Sequence, residues 1–182
     1  EDSFFHLPLM TAVFNPTTQY DLASYPSPFG FTPTLGNTAF VLPRDDIETW
    51  RQTFQVAKYL GDRANGSITT LAVFYDDAIP ETERANYHFI MVGQPSKLSI
   101  LKEINESLPA PIEFSTDAAV EPSMQIKYRI NPDADLGYIE MFQSPWNEDN
   151  IVLLALGNSL QGVAWAASHL IEPLSYELEG NF

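Results

Sequence analysis

The sequence predicts one α/β domain, a three-layer sandwich whose mostly parallel sheet carries an irregular or antiparallel excursion around residues 112–136. Short apolar runs without polar alternation, TAFVL from Thr38, TTLAVFY from Thr69, YHFIMV from Tyr87 and NIVLLAL from Asn150, follow the pattern of strands buried on both faces. Segments with apolar residues every three or four positions separate them, and strand alternating with helix implies parallel pairing. From Ile112 to Ile130 the alternation breaks, and Met124 to Ile130 alternates in polarity as a strand with one wet edge does.

In chain order, residues 1–35 read as a connector, because Pro8, Pro16, Pro26, Pro28 and Pro33 recur between aromatics and block helix. An ordered strand of the domain itself is the alternative there, since Phe4, Phe5, Leu7, Leu9 and Met10 can pack. The domain spans 36–173, and 174–182 form a tail. Strand one stops at Pro43. Asp45 with Glu48 three positions later predicts a reciprocal cap on helix one, whose buried face would be Ile47, Trp50, Phe54, Ala57 and Leu60, ending at Gly61. A short helix is expected between the second and third strands, and a longer one on Leu98, Leu101, Ile104 and Leu108. GYIEMFQ from Gly137 reads as a strand, Pro145-Trp146-Asn147 as a turn, and the last helix buries Leu160, Val163, Ala164, Ala167, Leu170 and Ile171.

Composition narrows the function. The chain has 182 residues, 45% hydrophobic, enough apolar material for a packed core. Nine Lys and Arg against 24 Asp and Glu give a net charge of -15, and counterion release from phosphates needs clustered cations, so nucleic acid and anionic lipid are poor partners. Without cysteine there are no disulfides, thiolate metal sites or thiol nucleophiles. No run approaches the ~20 apolar residues of a membrane helix, and the start at Glu1-Asp2-Ser3 suggests a fragment whose targeting or anchoring segments lie outside it.

Several motifs come close to chemistry and miss it. Gly157-Asn158-Ser159-Leu160-Gln161-Gly162 lies between strand and helix, where phosphate loops and nucleophile elbows occur. A phosphate loop needs Lys and Ser or Thr after the second glycine, and here Val163-Ala164 follow. The elbow needs a glycine two residues after its serine, so Ser159 reads as a helix cap. Asn131-Pro132-Asp133-Ala134-Asp135-Leu136-Gly137 resembles a calcium loop, yet Phe142 stands where the bidentate Glu belongs. Asp76 and Asp77 end a strand at the carboxyl edge, where an acidic pair could hold Mg²⁺, with a solvated loop as the plain reading. Trp146 beside Asn147, Tyr20 and Tyr25 could stack on sugar rings or simply pack. His6 and His88 have no ligand spacing around them.

The run Gly137-Tyr138-Ile139-Glu140-Met141-Phe142-Gln143-Ser144-Pro145-Trp146-Asn147, then Ile151 to Ser159 and Gln161 to Ala166, resembles the B-type accessory subunits of bacterial cellulose synthase. The matching pieces are the Ser-Pro-Trp-Asn turn, the strand ending in glycine, and Gly-Val before a helix. Asp21 to Phe29 and Thr38 to Pro43 resemble that family's passage from a jelly-roll, sugar-binding-like domain into a flavodoxin-like domain. The resemblance implies an exported subunit, tethered to the cytoplasmic membrane by a helix outside these residues. It would assist a separate catalytic subunit that polymerises glucose from UDP-glucose. Implied partners are that subunit, neighbouring domains of the parent chain, and the glucan. A flavodoxin-like fold would seat a flavin phosphate on Pro43-Arg44-Asp45-Asp46, but proline lacks the amide and the carboxylates repel phosphate, so no cofactor is expected. The family is often labelled as binding cyclic di-GMP, which an acidic chain without an arginine cluster does not support.

Three readings follow. The first is a non-catalytic structural and interaction domain supporting glucan synthesis and translocation. The second is a carbohydrate-binding module contacting the nascent polysaccharide through Trp146 and Asn147. The third is a small-molecule or metal site at the carboxyl edge, near Asp76, Asp77 and Ser159.

Overall fold

The structure, a computed structural model, describes residues 21–30, 32–64, 66, 68–120, 134–172, 178, 180 and 182. The expected strand at 124–130, the packing of Phe4 to Met10 and most of the tail lie outside these residues.

Among the described residues the strands and α-helices are, in order, β1 (Thr38–Leu42), α1 (Ile47–Arg63), β2 (Ala72–Tyr75), β3 (His88–Gly93), α2 (Ile100–Ile104), β4 (Ile112–Glu113), β5 (Ala118–Ala119), β6 (Gly137–Gln143), β7 (Ile151–Gly157) and α3 (Leu160–Ile171). The main sheet runs β2-β1-β3-β7-β6, parallel throughout except that β6 is antiparallel to β7. Apolar runs form the centre because β3 and β7 are buried along their whole length, with Ile90 beside Leu153 and Met91 beside Leu154. Phe40, Ile90, Leu153 and Ala155 face Val56 and Leu60 of α1 and Val163, Ala167 and Leu170 of α3. Val41, Phe89, Met91 and Leu154 face Leu98, Leu101, Ile104 and Leu108 on the other side. This is the predicted three-layer, flavodoxin-like α/β arrangement.

The sheet departs from flavodoxin order at one end. In that order successive strands add outwards, 2-1-3-4-5, whereas here β6 lies outside β7 and runs the other way. The connection Ser144–Asn150 explains this: a parallel crossover needs roughly a dozen residues, and a shorter link makes a hairpin. The antiparallel character expected at 112–136 appears in the small β4–β5 pair, with Ile112 opposite Ala119.

Several local expectations are corrected. Helix α1 is capped by Asp46, not Asp45: the Asp46 carboxylate accepts from the Thr49 N–H at 3.2 Å and from its hydroxyl at 3.0 Å, while Glu48 pairs with Arg51. Its buried face is Thr49, Thr53, Val56, Tyr59 and Leu60, leaving Ile47 69% and Phe54 55% exposed. Both threonines tolerate burial because their hydroxyls are satisfied locally, Thr53 donating to the Thr49 carbonyl at 3.0 Å. Gly61 does not stop the helix, which continues to Arg63. Leu160 is exposed, and Gly162 and Ala166 take its place in the α3 stripe. The link from β2 to β3 is a series of turns with Ile79 buried, and the second helix is one short α turn between two 3₁₀ turns. Leu22, Tyr25, Phe29 and Leu35 of the proline-rich stretch are buried in the same cluster as α1 and α3. Among the described residues no helix is long and apolar enough to cross a membrane.

Three glycines set how low α3 sits. A Cβ at Gly162 would overlap the Leu136 carbonyl, one at Gly157 the Val163 amide, and one at Gly137 the Gly162 carbonyl. Gly162→Ala should therefore cost about 2 kcal/mol or more in urea unfolding, through overpacking against backbone. Gly61→Ala, in open space on α1, should instead add roughly 0.5–1 kcal/mol by removing a helix-interior glycine.

Candidate functional site

In an open α/β sheet, ligands bind beyond the carboxyl ends of the parallel strands, where connections part to opposite sides, here between β1 and β3. The loops at that edge are tied to one another across the whole sheet. After β1, Arg44 donates twice to Asp77 after β2, at 2.9 and 2.7 Å. Asp76 then accepts from the Ser99 N–H and hydroxyl after β3, both at 2.6 Å. Gln94, also after β3, donates to the Asn158 carbonyl after β7 at 3.2 Å. The Asn158 side chain accepts from the Leu136 N–H at 2.8 Å and donates to the Ala134 carbonyl at 2.9 Å, fastening the chain that enters β6. Ser96 binds Asp117 of the β4–β5 turn through N–H and hydroxyl, both at 2.6 Å.

This lacing accounts for most of the candidate residues. Ser159 is the α3 cap, its oxygen accepting from the Gly162 N–H at 3.1 Å. The Leu136 carbonyl lies against the flank of the same first turn, at Gly162, and accepts from the Asn158 N–H at 3.2 Å. Asp76 and Asp77 do not converge. Asp76 is 7% exposed and turned towards Ser99, while Asp77 faces solvent and Arg44, whose hydrogen bond holds its carboxyl below the usual range. Among the described residues no three His, Asp or Glu side chains are grouped to hold a metal ion.

Trp146 is half-buried, edge-on to Phe89 at 5.6 Å between ring centres, with Arg84 over its ring and its N–H donating to Glu103 at 3.4 Å. Asn147 donates to the Ala85 carbonyl at 2.8 Å and accepts from the Asp149 N–H at 3.0 Å. Both residues hold the β6–β7 hairpin against the neighbouring turn. Tyr25 stacks on Tyr59 in the core. His88 accepts from the Ile151 N–H at 3.0 Å through Nδ1, and burial holds its pKa below the ordinary value. Tyr20, His6 and the start of the calcium-like stretch, Asn131 to Asp133, lie outside the described residues.

Two features escape the sequence reading. Glu140 is fully buried on β6, one oxygen accepting from the Ala110 N–H at 3.1 Å and the other without a hydrogen-bond partner. Burial pushes its pKa up to about 7, against a smaller lowering by the Ala110 N–H. A signal for it exists in the sequence: Glu140 shares a strand face with Tyr138 and Phe142, both of which pack inwards. The second feature is a pocket of about 540 Å³ between β6 and α3, bordered by Tyr138, Ile139, Trp165, His169, Leu178 and Phe182. Those residues come from three separated stretches of chain, which no local pattern joins.

Glu140 makes stability depend on pH. The unfolded carboxyl ionises near its ordinary value of 4.5 while the folded one keeps its proton up to about 7, so the unfolded state binds fewer protons in that window and stability falls as pH rises. The loss should total roughly 3 kcal/mol between those limits and then level off. Glu140→Gln should remove this slope in urea melts and be the more stable protein at alkaline pH. Asn158→Ala, which frees the Leu136 N–H and the Ala134 carbonyl, should cost about 2 kcal/mol in the same assay.

A scan against known protein families finds no match to this chain, and a search of curated proteins finds none either.

Proposed function

We propose that this domain works by contact and not by catalysis, as a structural and interaction module of the exported accessory subunit of a cellulose synthase. In that setting it would orient neighbouring domains and the catalytic subunit for glucan synthesis and translocation. The observation that carries the non-catalytic part is the laced carboxyl edge, where Arg44, Asp76, Asp77, Gln94, Ser96, Asn158 and Ser159 bond to protein groups. A reactive site keeps such groups aimed at an open position, and here each already has an internal partner. The cellulose part rests on the likeness of the stretch from Gly137 to Ala166, together with the flavodoxin-like layering. Export and membrane tethering follow from the same likeness.

Contact with the glucan is the second reading. The pocket beside Trp165 favours it more than Trp146 does, because the Trp146 indole is packed on Phe89 and bonded to Glu103 whereas Trp165 is 47% exposed. The third reading, a ligand at the carboxyl edge, would require the Asp76–Ser99 and Arg44–Asp77 bonds to break first.

Calorimetric titration with flavin mononucleotide, Mg²⁺ and cyclic di-GMP tests the contact reading. No saturable heat and no shift in melting temperature are expected. Saturable binding of any of the three that disappears in Asp76→Ala would move the function to the carboxyl edge.

A further inference from the structure

We propose that the outer edge of β6, with the pocket beside it, docks an extended segment of a partner protein, one carrying an apolar side chain flanked by Lys or Arg. The inference rests on the contact reading above and names the partner's chemistry.

Edge geometry comes first. Among the described residues, strand β6 pairs only with β7. The Leu136 carbonyl accepts from the Asn158 N–H at 3.2 Å and the Ser144 N–H donates to the Asn150 carbonyl at 2.9 Å, so even-numbered residues of the strand direct their backbone groups towards β7. Gly137 and Ile139, between them, direct theirs outwards. Gly137 is exposed and Ile139 half-buried, so an added strand would find amide and carbonyl groups at the spacing of its own backbone. A saccharide has no such repeat.

The pocket supplies the anchor. Tyr138, Trp165 and Phe182 contribute rings from a strand, a helix and the stretch after that helix, with Trp165 47% and Phe182 46% exposed, around a hollow of about 540 Å³. That volume accepts a Phe or Leu side chain with part of its backbone. Local charge then selects among apolar segments. Beyond Arg129 the sequence contains no Lys or Arg, while Asp135 precedes β6 and Glu172 follows the last turn of α3, three positions past His169. A chain of net charge -15, with these two carboxylates next in sequence to the elements that border the pocket, repels a second copy of itself and attracts a basic segment.

The test titrates the domain with an N-acetylated, C-amidated peptide of alternating Lys and Phe or Val, with its Glu-for-Lys counterpart, and with cellohexaose. The basic peptide should bind saturably, shift the Gly137 and Ile139 amide resonances, and weaken at least about tenfold between roughly 50 and 500 mM salt. Trp165→Ala should weaken it about tenfold or more without moving the melting temperature. Glu172→Lys, at an exposed position, should weaken it without altering the pocket. Equal binding of the acidic peptide, unchanged affinity in Trp165→Ala, or resonance shifts confined to α1 and β2 would overturn the proposal. So would binding of cellohexaose alone, or of no probe at all. None of these outcomes bears on the contact reading, which stands or falls on the flavin, Mg²⁺ and cyclic di-GMP titrations.

Discussion

The contact of the first turn of α3 with β6 and β7 is the constraint on which the other features depend. At Gly137, Gly157 and Gly162 backbone meets backbone with no space for a methyl group. Because the helix sits this low, the flank of its first turn lies against the backbone that enters β6, while Leu160 and Gln161 at its start face solvent. The Gly162 N–H goes to Ser159, the Leu136 carbonyl lies against the same turn, and Asn158 clamps the Leu136 N–H from the side. One packing decision thus pins the start of β6 against both β7 and the first turn of α3.

The remaining loops complete the same closure with bonds of unequal worth. Arg44 and Asp77 are each about half exposed, with side-chain exposures of 47% and 49%, and such a pair contributes little once solvent screens it. Asp76 is buried and takes both donors of Ser99, so removing it would leave an amide and a hydroxyl unpaired at the loop after β3. Stiffness at the edge therefore comes from Asp76 and Asn158 more than from the ion pair. Glu140 is the exception to this thorough satisfaction: a buried acid with one bonded oxygen, whose burial lets it hold its proton up to about pH 7.

Runs of identical character are legible in the sequence. TAFVL and NIVLLAL have no charged residue that must face water, so their burial in a parallel sheet follows directly, and Ser159 announces itself as a cap by chemistry and position. Legibility fails where polarity misleads. On α1, Thr49 and Thr53 look like surface residues and Ile47 and Phe54 like core, yet local hydrogen bonds let the threonines turn inwards and the stripe rotates. The antiparallel placement of β6 is encoded in the short link Ser144–Asn150 and is easily missed because both flanking strands look alike. The glycines from Gly157 to Gly162 resemble a phosphate loop, and their reason is steric: spacing alone cannot distinguish a glycine that admits a ligand from one that admits a neighbouring backbone.

A closed carboxyl edge is the central claim, and amide hydrogen exchange measures closure directly. If the lacing holds, the Ser99, Leu136 and Gly162 amides, which donate to Asp76, Asn158 and Ser159, will exchange slowly, approaching the protection of the β3 and β7 core. Exchange of these amides as fast as in unstructured loops would show the edge opening freely and would contradict the account.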